Sequence, residues 1–589
     1  MSALAALPSS PLPDDRSALL GRLTDGLDAA SLWWLSGYTA GLAQRSHAPL
    51  LTAVPTGEAA TAEILTVVYG SQTGNSKRLA EKLAQQAEDA GLSTRLLRAD
   101  AYPLRELKNE RYLQLVISTQ GDGDPPDDAR GLVEFLLGKR APALPQLTFA
   151  VLGLGDSSYP KFCEIGRVLD ERLTELGGTR WLPRGDADLD VDTVATPWVE
   201  SALALARETL KPHAPLATVT PLRPLPATPT WSREQPFHAE VLVNQRITGR
   251  GSDKDIRHIE ISLEGSGLSY EPGDALGIWP VNAPTLVNEV LTTLSLDGEQ
   301  AITIGDKQQS LREWLTNHRE LTRLSRAFVA RHNTRGGHTI DLAGLPTGTQ
   351  VIDLLRAYPA TWSGEDLIAA LRPLTPRLYS IASSQKTVGD EAHLTIAHVE
   401  YERDGATHWG VASHHLAGSN EGARLPIFIE RNDRFRLPKD GARDLIMIGP
   451  GTGVAPFRGF MQERITTGAS GRHWLLFGNP HSRSDFLYQI EWQRALKQGH
   501  LSRLDLAFSR DQAHKVYVQD RLREHGRELY AWLQSGAHLY VCGDATRMAK
   551  DVHTTLLDVI AEHGGKSRED AEDFLNALQQ QGRYARDVY

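Results

Sequence analysis

A chain of 589 residues with a formal charge of −10, 41% hydrophobic and 23% charged residues has room for three or four folded units and shows none of the extremes of disorder, collagen or a disulfide scaffold. Its negative charge excludes nucleic acid as a general partner, because phosphate binding needs cationic surface, and suits a basic protein partner instead. Two cysteines, Cys163 and Cys542, are too few for a stapled secreted framework and point to a reducing cytoplasm, while the opening MSALAALPSSPLPDDR lacks a basic leader and no window reaches the roughly 18 apolar residues of a membrane span.

In chain order, residues 14–45 place Leu19, Leu20, Leu23, Leu27, Leu32, Leu35 and Leu42 at helical spacing, predicting a small helical hairpin within an N-terminal segment over 1–60. Over 61–208 the runs ILTVVY, LQLVIST and LTFAVLGL alternate with helical stretches, the pattern of a doubly wound parallel sheet. A Pro, Ala and Thr-rich linker follows at 209–233. Alternating strands over 234–440 predict an antiparallel β-barrel, interrupted by a helical insertion from about 283 to 370. From 441 to 589 LIMIG, HWLLFG, LDLAFS and HLYVCGD read as buried parallel strands of a Rossmann-like unit, so the fold class is multidomain α/β.

Three loops at strand C-termini of the first sheet carry chemistry. SQTGNS at 71–76 runs from strand into helix, so the hydroxyls of Ser71, Thr73 and Ser76, the flexible Gly74 and the helix amides form an anion cradle; it is no Walker loop, since Gly-Lys-Ser/Thr is missing. STQGDG at 118–123 and LGDSSYPKFC at 154–163 add Gly121, Gly123 and Gly155 for close backbone approach and Tyr159 to stack on a flat ring. Cys163 reads as a small buried residue rather than a nucleophile. Asp122, Asp124, Asp127 and Asp128, with Asp186, Asp188, Asp190 and Asp192, read as a solvated acidic rim able to steer a cationic electron acceptor.

Further on, RLYS at 377–380 supplies Arg377 for a pyrophosphate, Tyr379 for a flavin face and Ser380 for the reactive ring edge, and GVAS at 410–413 opens a helix whose amides suit a diphosphate. GPGTGVAPFR at 449–458 makes a tight strand-to-helix turn through Gly449, Gly451 and Gly453. After LDLAFS, Ser509, Arg510, Lys515, Tyr517 and Gln519 have the chemistry for a ribose 2′-phosphate, which favours NADPH over NADH. YVCGDATRM at 540–548 puts Cys542 and Asp544 at a strand end where the nicotinamide should sit.

The first region resembles flavodoxin-type FMN domains. RLYS, GPGTG and CGD in that order resemble the ferredoxin-NADP reductase family. With SLWWLSGYTAGL at 31–42, STQGDGDPPDD and the closing RYARDVY, nearly the whole chain resembles the bacterial sulfite reductase flavoproteins among diflavin reductases. That resemblance implies FMN on Ser71, Gln72, Thr73, Gly74, Asn75, Ser76, Ser118, Thr119, Gln120, Gly121, Leu154, Gly155, Asp156, Ser157, Ser158, Tyr159, Phe162 and Cys163. It implies FAD on Thr322, Arg377, Leu378, Tyr379, Ser380, Thr395, Ile396, Ala397, Tyr401, Gly410, Val411, Ala412, Ser413 and Tyr589. NADPH falls to Gly451, Thr452, Gly453, Ser509, Arg510, Lys515, Val516, Tyr517, Val518, Gln519 and Asp551. Ser380, Cys542 and Asp587 line the hydride path, and Tyr589 shields the FAD ring until nicotinamide displaces it. No metal site is read from the chain itself.

The resemblance further implies a separate sirohaem and iron–sulfur subunit as acceptor and homo-oligomers built through the N-terminal region. Gln120 stands where microsomal relatives carry Tyr, and Val411 where relatives often have a second glycine. No hydrophobic anchor, upstream haem domain or tail beyond Tyr589 is read from the chain. Two other functions compete: a soluble NADPH diflavin reductase serving a cytochrome monooxygenase or other metalloprotein, and a flavin-binding electron-store protein without nucleotide turnover. Intact GPGTG, SR and CGD motifs speak against the second.

Overall fold

The structure, a computed structural model, describes residues 63–72, 74–121, 123–210 and 231–589. The expected helical hairpin, the stretch 211–230, Thr73 and Asp122 lie outside the described residues. Everything described belongs to one compact unit, Glu63–Tyr589.

The first sheet orders its strands β2-β1-β3-β4-β5, with β6 also on β4: β1 Leu65–Gly70, β2 Thr94–Arg98, β3 Tyr112–Ser118, β4 Thr148–Leu154, β5 Thr179–Arg180 and β6 Gly185–Ala187. All pairings are parallel. Central strands are buried on both faces, so Val67, Val68, Val116 and Val151 form continuous apolar runs. Helix α1, Asn75–Asp89, lays Leu79, Ala80, Leu83 and Ala87 on one face of the sheet, and α2, Glu164–Glu175, covers the other with Ile165, Leu169 and Leu173. Strand order reverses between β1 and β3, and the loops after these strands and after β4 meet there.

The middle region is a rolled antiparallel sheet, ordered β12-β9-β16-β7-β8-β13: β7 Phe237–Arg246, β8 Asp255–Ser262, β9 Ala275–Ile278, β12 Arg377–Ser380, β13 Glu391–His398 and β16 Arg424–Glu430. Its end strands touch through one bridge, Ile381 to Leu394, next to the Ala382 amide donating to His393 O at 2.7 Å. The helices between β9 and β12 bury Trp314, Phe328 and Trp362 in a core of their own, with Phe328 and Trp362 stacked at 5.5 Å. That insertion, expected to be helical, also holds a hairpin of β10 Ala301–Ile304 and β11 Lys307–Ser310. A second hairpin, β14 Glu400–Arg403 with β15 Ala406–Trp409, leads into α3, Val411–Gly418.

The last region is a parallel sheet, β19-β18-β17-β20-β21: β17 Leu445–Ile448, β18 His473–Asn479, β19 Arg503–Phe508, β20 His538–Gly543 and β21 Tyr584–Val588. Order reverses between β17 and β20, which opens a crevice at their C-terminal ends. No described helix is long and apolar enough to cross a membrane.

Candidate active site

The first cradle forms as the sequence predicts locally. Gly74 takes φ 82° to turn β1 into α1, whose N-terminus carries no side-chain cap. Two hydroxyls there, Ser71 Oγ and Ser76 Oγ, are buried without a hydrogen-bond partner. Buried polar atoms are almost always satisfied. Orphan hydroxyls at an uncapped helix N-terminus therefore fit a terminal phosphate, which would accept from them and from the helix amides. Asn75 accepts from Arg233 at 3.0 Å, and Gln72 Oε1 accepts from the Asp127 amide at 3.3 Å.

The other two loops close on the same place. A cavity is lined by Gln72, Ser118, Thr119, Gln120, Gly121, Gly155, Asp156, Tyr159 and Lys161. Gly155 must be glycine: a Cβ would come within 2.9 Å of the Cys163 amide. Thr119 Oγ1 accepts from the Ile165 amide at 3.0 Å, and Ser157 binds Asp188, so both hydroxyls brace loops. Leu154 and Cys163 are buried behind the cavity, and burial raises the Cys163 thiol far above its ordinary range. Phe162 lies under the Arg326 guanidinium at 6.0 Å, at the edge of the loop.

Part of the acidic rim departs from its expected solvated state, while Asp192 stays exposed. Asp127 and Asp128 are buried and paired with Arg586 and Arg434 of the other regions. Asp124 meets Lys550 at 2.8 Å, and Asp156 accepts from Arg323 at 3.0 Å and Arg372 at 3.1 Å. Burial would raise the Asp156 carboxyl, but Arg372 and Arg323, with Ser158, hold it below the usual range. Asp128 goes the other way: burial lifts it to about 6 against the pull of Arg434 and the Ser71 amide. These carboxylates clamp the first domain onto the rest, so its cavity opens onto β21, and Val588 and Tyr589 complete the lining. Gln120 Nε2 donates to Val588 O at 2.9 Å.

On the other side of β21, the predicted trio converges. Ser380 Oγ donates to Asp587 Oδ2 at 2.7 Å, and Cys542 Sγ stands 4.0 Å from the same oxygen. Register sets this up, since Cys542 and Asp587 are direct partners on β20 and β21. Burial raises the Asp587 carboxyl, with the Ser380 hydrogen bond opposing it. Tyr589 is tied by its amide to Gly543 O at 3.1 Å and by its hydroxyl to Thr452 at 3.2 Å, while the residue as a whole is 61% exposed and lines both cavities. The cavity it shares with Leu378 and Ser380 leaves room for a flat cofactor.

Several residues expected at the second flavin behave differently. Arg377 is paired with Glu320 at 2.9 Å and bonded to Thr375, and Glu320 also accepts from Thr322 at 2.7 Å, so Thr322 supports the arginine through a carboxylate. Thr395 is buried and shares a 2.6 Å hydrogen bond with Tyr488, and Ile396 sits in the barrel core. Thr395 and Ile396 are both buried, so of these three residues only Ala397 is exposed and the strand's backbone is left to meet a ligand. Tyr401 donates to Gly348 O at 2.7 Å, pinning the insertion. Gly410 starts α3 with no side-chain cap; Val411 and Ala412 are buried beneath it, and Ser413 Oγ accepts from the Val399 amide at 3.1 Å. The uncapped helix end fits a diphosphate.

The third cavity, about 400 Å³, lies at the crevice between β17 and β20 and includes Gly451, Ser509, Tyr517, Gln519 and Asp551. Gly453 packs against the neighbouring strand so closely that a Cβ would fall 2.1 Å from Cys542 O. Gln519 donates to Asp551 at 3.2 Å, and its Oε1 is buried without a partner. Val516 turns into the core and does not line this cavity, whereas Val518 packs in the same core and also borders the cavity. Arg510 is held by Asp253 at 3.3 Å, and Lys515 is exposed; neither lines this cavity. Asp544 caps the helix Met548–Gly564, accepting from the Arg547 amide at 3.0 Å and the Met548 amide at 3.1 Å. Sequence reasoning missed Lys254, Asn479 and Arg547, which do line it. Lys254 reaches across from the barrel, donating to Asn479 at 2.9 Å, and burial lowers its pKa. No local pattern marks it.

Comparison with known proteins places these regions. Residues 67–197 match the model of the flavodoxin family, 229–358 and 348–415 that of the FAD binding domain, and 447–554 that of the oxidoreductase NAD-binding domain. Among curated proteins, the sulfite reductase (NADPH) flavoprotein alpha-component of Shewanella sp. strain ANA-3 is 46% identical, covering 99% of this chain and 98% of its own length. The proteins of the same name from Cronobacter sakazakii and Vibrio cholerae serotype O1 are also 46% identical, over 98% and 100% of this chain and 98% and 97% of theirs.

Proposed function

We propose, since the chain belongs to the family of NADPH-dependent sulfite reductase flavoprotein alpha-components, that it carries electrons from NADPH to a sirohaem and iron–sulfur haemoprotein that reduces sulfite to sulfide. When bound, FAD accepts the hydride of NADPH, and FMN passes electrons on one at a time. The observation that carries this reading is that the end of β21, through Val588 and Tyr589, borders both the cavity of Gln120 and Tyr159 and a cleft that joins Ser380 and Leu378 to Ser71 and Gly74 of the first cradle.

In this reading Ser71, Ser76 and the amides of α1 hold the FMN phosphate, and Tyr159 stacks on its ring. Arg377 and the N-terminus of α3 neutralise the FAD diphosphate. Asp587, oriented by the Ser380 hydroxyl and backed by Cys542, aligns the nicotinamide at the flavin edge. Tyr589 covers that edge and excludes water until the nicotinamide takes its place. Lys254 and Arg547, with Ser509, Tyr517 and Gln519, hold the nucleotide, and Arg510 reaches the 2′-phosphate once it leaves Asp253. Homo-oligomers form through residues 1–60, and the enzyme works in the cytoplasm.

Anaerobic mixing with NADPH tests the reading: both flavins bleach, and adding the haemoprotein and sulfite yields sulfide. Unbleached flavins would make the chain an electron store. Bleaching with no sulfide, while a cytochrome is reduced, would favour the general diflavin reductase.

A further inference from the structure

Among the described residues, two groups place three ligand atoms within 4.8 Å of one another: His258, Glu260 and His393, and His398, Glu400 and His414. They differ in what already occupies the imidazoles. His393 Nδ1 faces the Arg458 guanidinium at 3.2 Å and its Nε2 faces Glu391 at 2.9 Å, while His258 bonds Tyr488 and Glu260, both at 3.0 Å. A guanidinium has donors only, so His393 must accept at Nδ1 and carry its proton on Nε2. That network is satisfied as it stands, and a fixed cation beside it repels a second one.

The other group lacks such a cation at its ligand atoms. His398 Nε2 and His414 Nδ1 point at each other across 3.1 Å, and the Glu400 carboxylate stands 4.0 Å from His398 Nε2. Tetrahedral metal–imidazole bonds of about 2.0–2.1 Å separate two ligand nitrogens by about 3.3 Å. The rings are therefore already at ligand spacing. Trp409 stacks on His414 at 4.4 Å and holds its plane. Behind His398, Nδ1 faces Asp255 Oδ2 at 3.7 Å, and Asp255 Oδ1 is buried with no hydrogen-bond partner. A carboxylate facing Nδ1 favours the tautomer that leaves Nε2 free to ligate. Arg257 at 3.1 Å and Arg246 at 3.8 Å pair with Asp255.

We propose that His398, Glu400 and His414 form a zinc(II)-binding site. His398 Nε2 ligates, with its Nδ1 proton directed at Asp255. His414 moves its proton from Nδ1 to Nε2, which frees the facing lone pair and releases no net proton. Glu400, half-exposed, supplies the third ligand and water the fourth. The metal ties the end of β13 to the first turn of α3, beside the existing 3.1 Å link from Ser413 to Val399. It thus braces the helix end assigned above to a diphosphate, while the metal ligands themselves do not depend on that assignment.

The test uses the full-length, flavin-loaded protein, freed of metal by a chelator. Titration with zinc chloride against a chromophoric chelator should show one equivalent held per chain, and cobalt(II) should give tetrahedral d–d bands to the red of oxidised flavin. His398→Asn and His414→Asn should each weaken zinc by at least about tenfold, as loss of a ligand requires, while His481→Asn, on an exposed histidine, changes nothing. No retained zinc, or a zinc affinity unchanged from the parent protein in both site variants, overturns the proposal. If either variant loses FAD, X-ray absorption on the unmutated zinc form decides: two imidazole ligands support the site, and none overturns it.

Discussion

Two parallel sheets of nearly the same build handle their nucleotides in opposite ways. In the first, the phosphate cradle comes from one loop and the helix it feeds, and two serine hydroxyls wait without partners. In the last, the cavity draws on several strand ends and on a lysine from the barrel, and Gln519 is bonded to Asp551 and Lys254 to Asn479. A local cradle is specified by spacing along the chain. A composite one depends on how whole domains pack, and its polar groups must exchange partners when ligand enters.

The largest expected effect would break or confirm the composite character of the second. Lys254→Met should raise the NADP dissociation constant by about 10–100-fold, the worth of a charge-assisted hydrogen bond of about 1.5–3 kcal/mol. Calorimetric titration of the variant reads this directly, and an unchanged constant would return the cavity to a single domain. Arg510→Ala should produce a loss of the same order that is confined to NADPH and spares NADH.

A smaller effect sharpens the domain clamp. The folded-state pKa of Asp128, about 6, is raised above the unfolded value, so the stability tied to its protonated form is fully present below about pH 4 and lost as pH rises through about 6. Asp128→Asn should therefore match the parent at pH 4 and exceed it at pH 8 by about 3 kcal/mol. Denaturant melts at the two pH values decide, and equal differences at both would mean Asp128 is not a strained acid. The smallest effect concerns the local cradle: Ser76→Ala should weaken FMN by about 1 kcal/mol, roughly fivefold, with FAD retained. Simultaneous loss of both flavins would show that the first cradle is not independent.

How much could be read in advance follows the same division. The parallel sheets and the loop of residues 71–76 were legible because hydrophobic runs and strand-to-helix turns are short-range signals. The Ser380, Cys542 and Asp587 trio was named through family likeness; the structure adds the register of β20 against β21 that joins it. Lys254 escaped because only the packing of β7 and β8 against the last domain brings it to the crevice. Thr395 and Val516 are buried, and motif membership alone does not say which side chains of a motif face the crevice. The acidic rim was read as solvated because a charge run is usually so, and its arginine partners lie far away in sequence.

The carboxylate clamp has a consequence best stated as a concentration. Leu210 and Trp231 are joined through residues 211–230, so the first domain never leaves the neighbourhood of its docking surface, where a tether of this length gives an effective concentration on the order of millimolar. Against that concentration, contacts worth only about 4 kcal/mol are half-populated. The ion pairs of Asp124, Asp127, Asp156 and Asp188 can each be weak and still set whether the FMN cavity faces β21 or an outside acceptor.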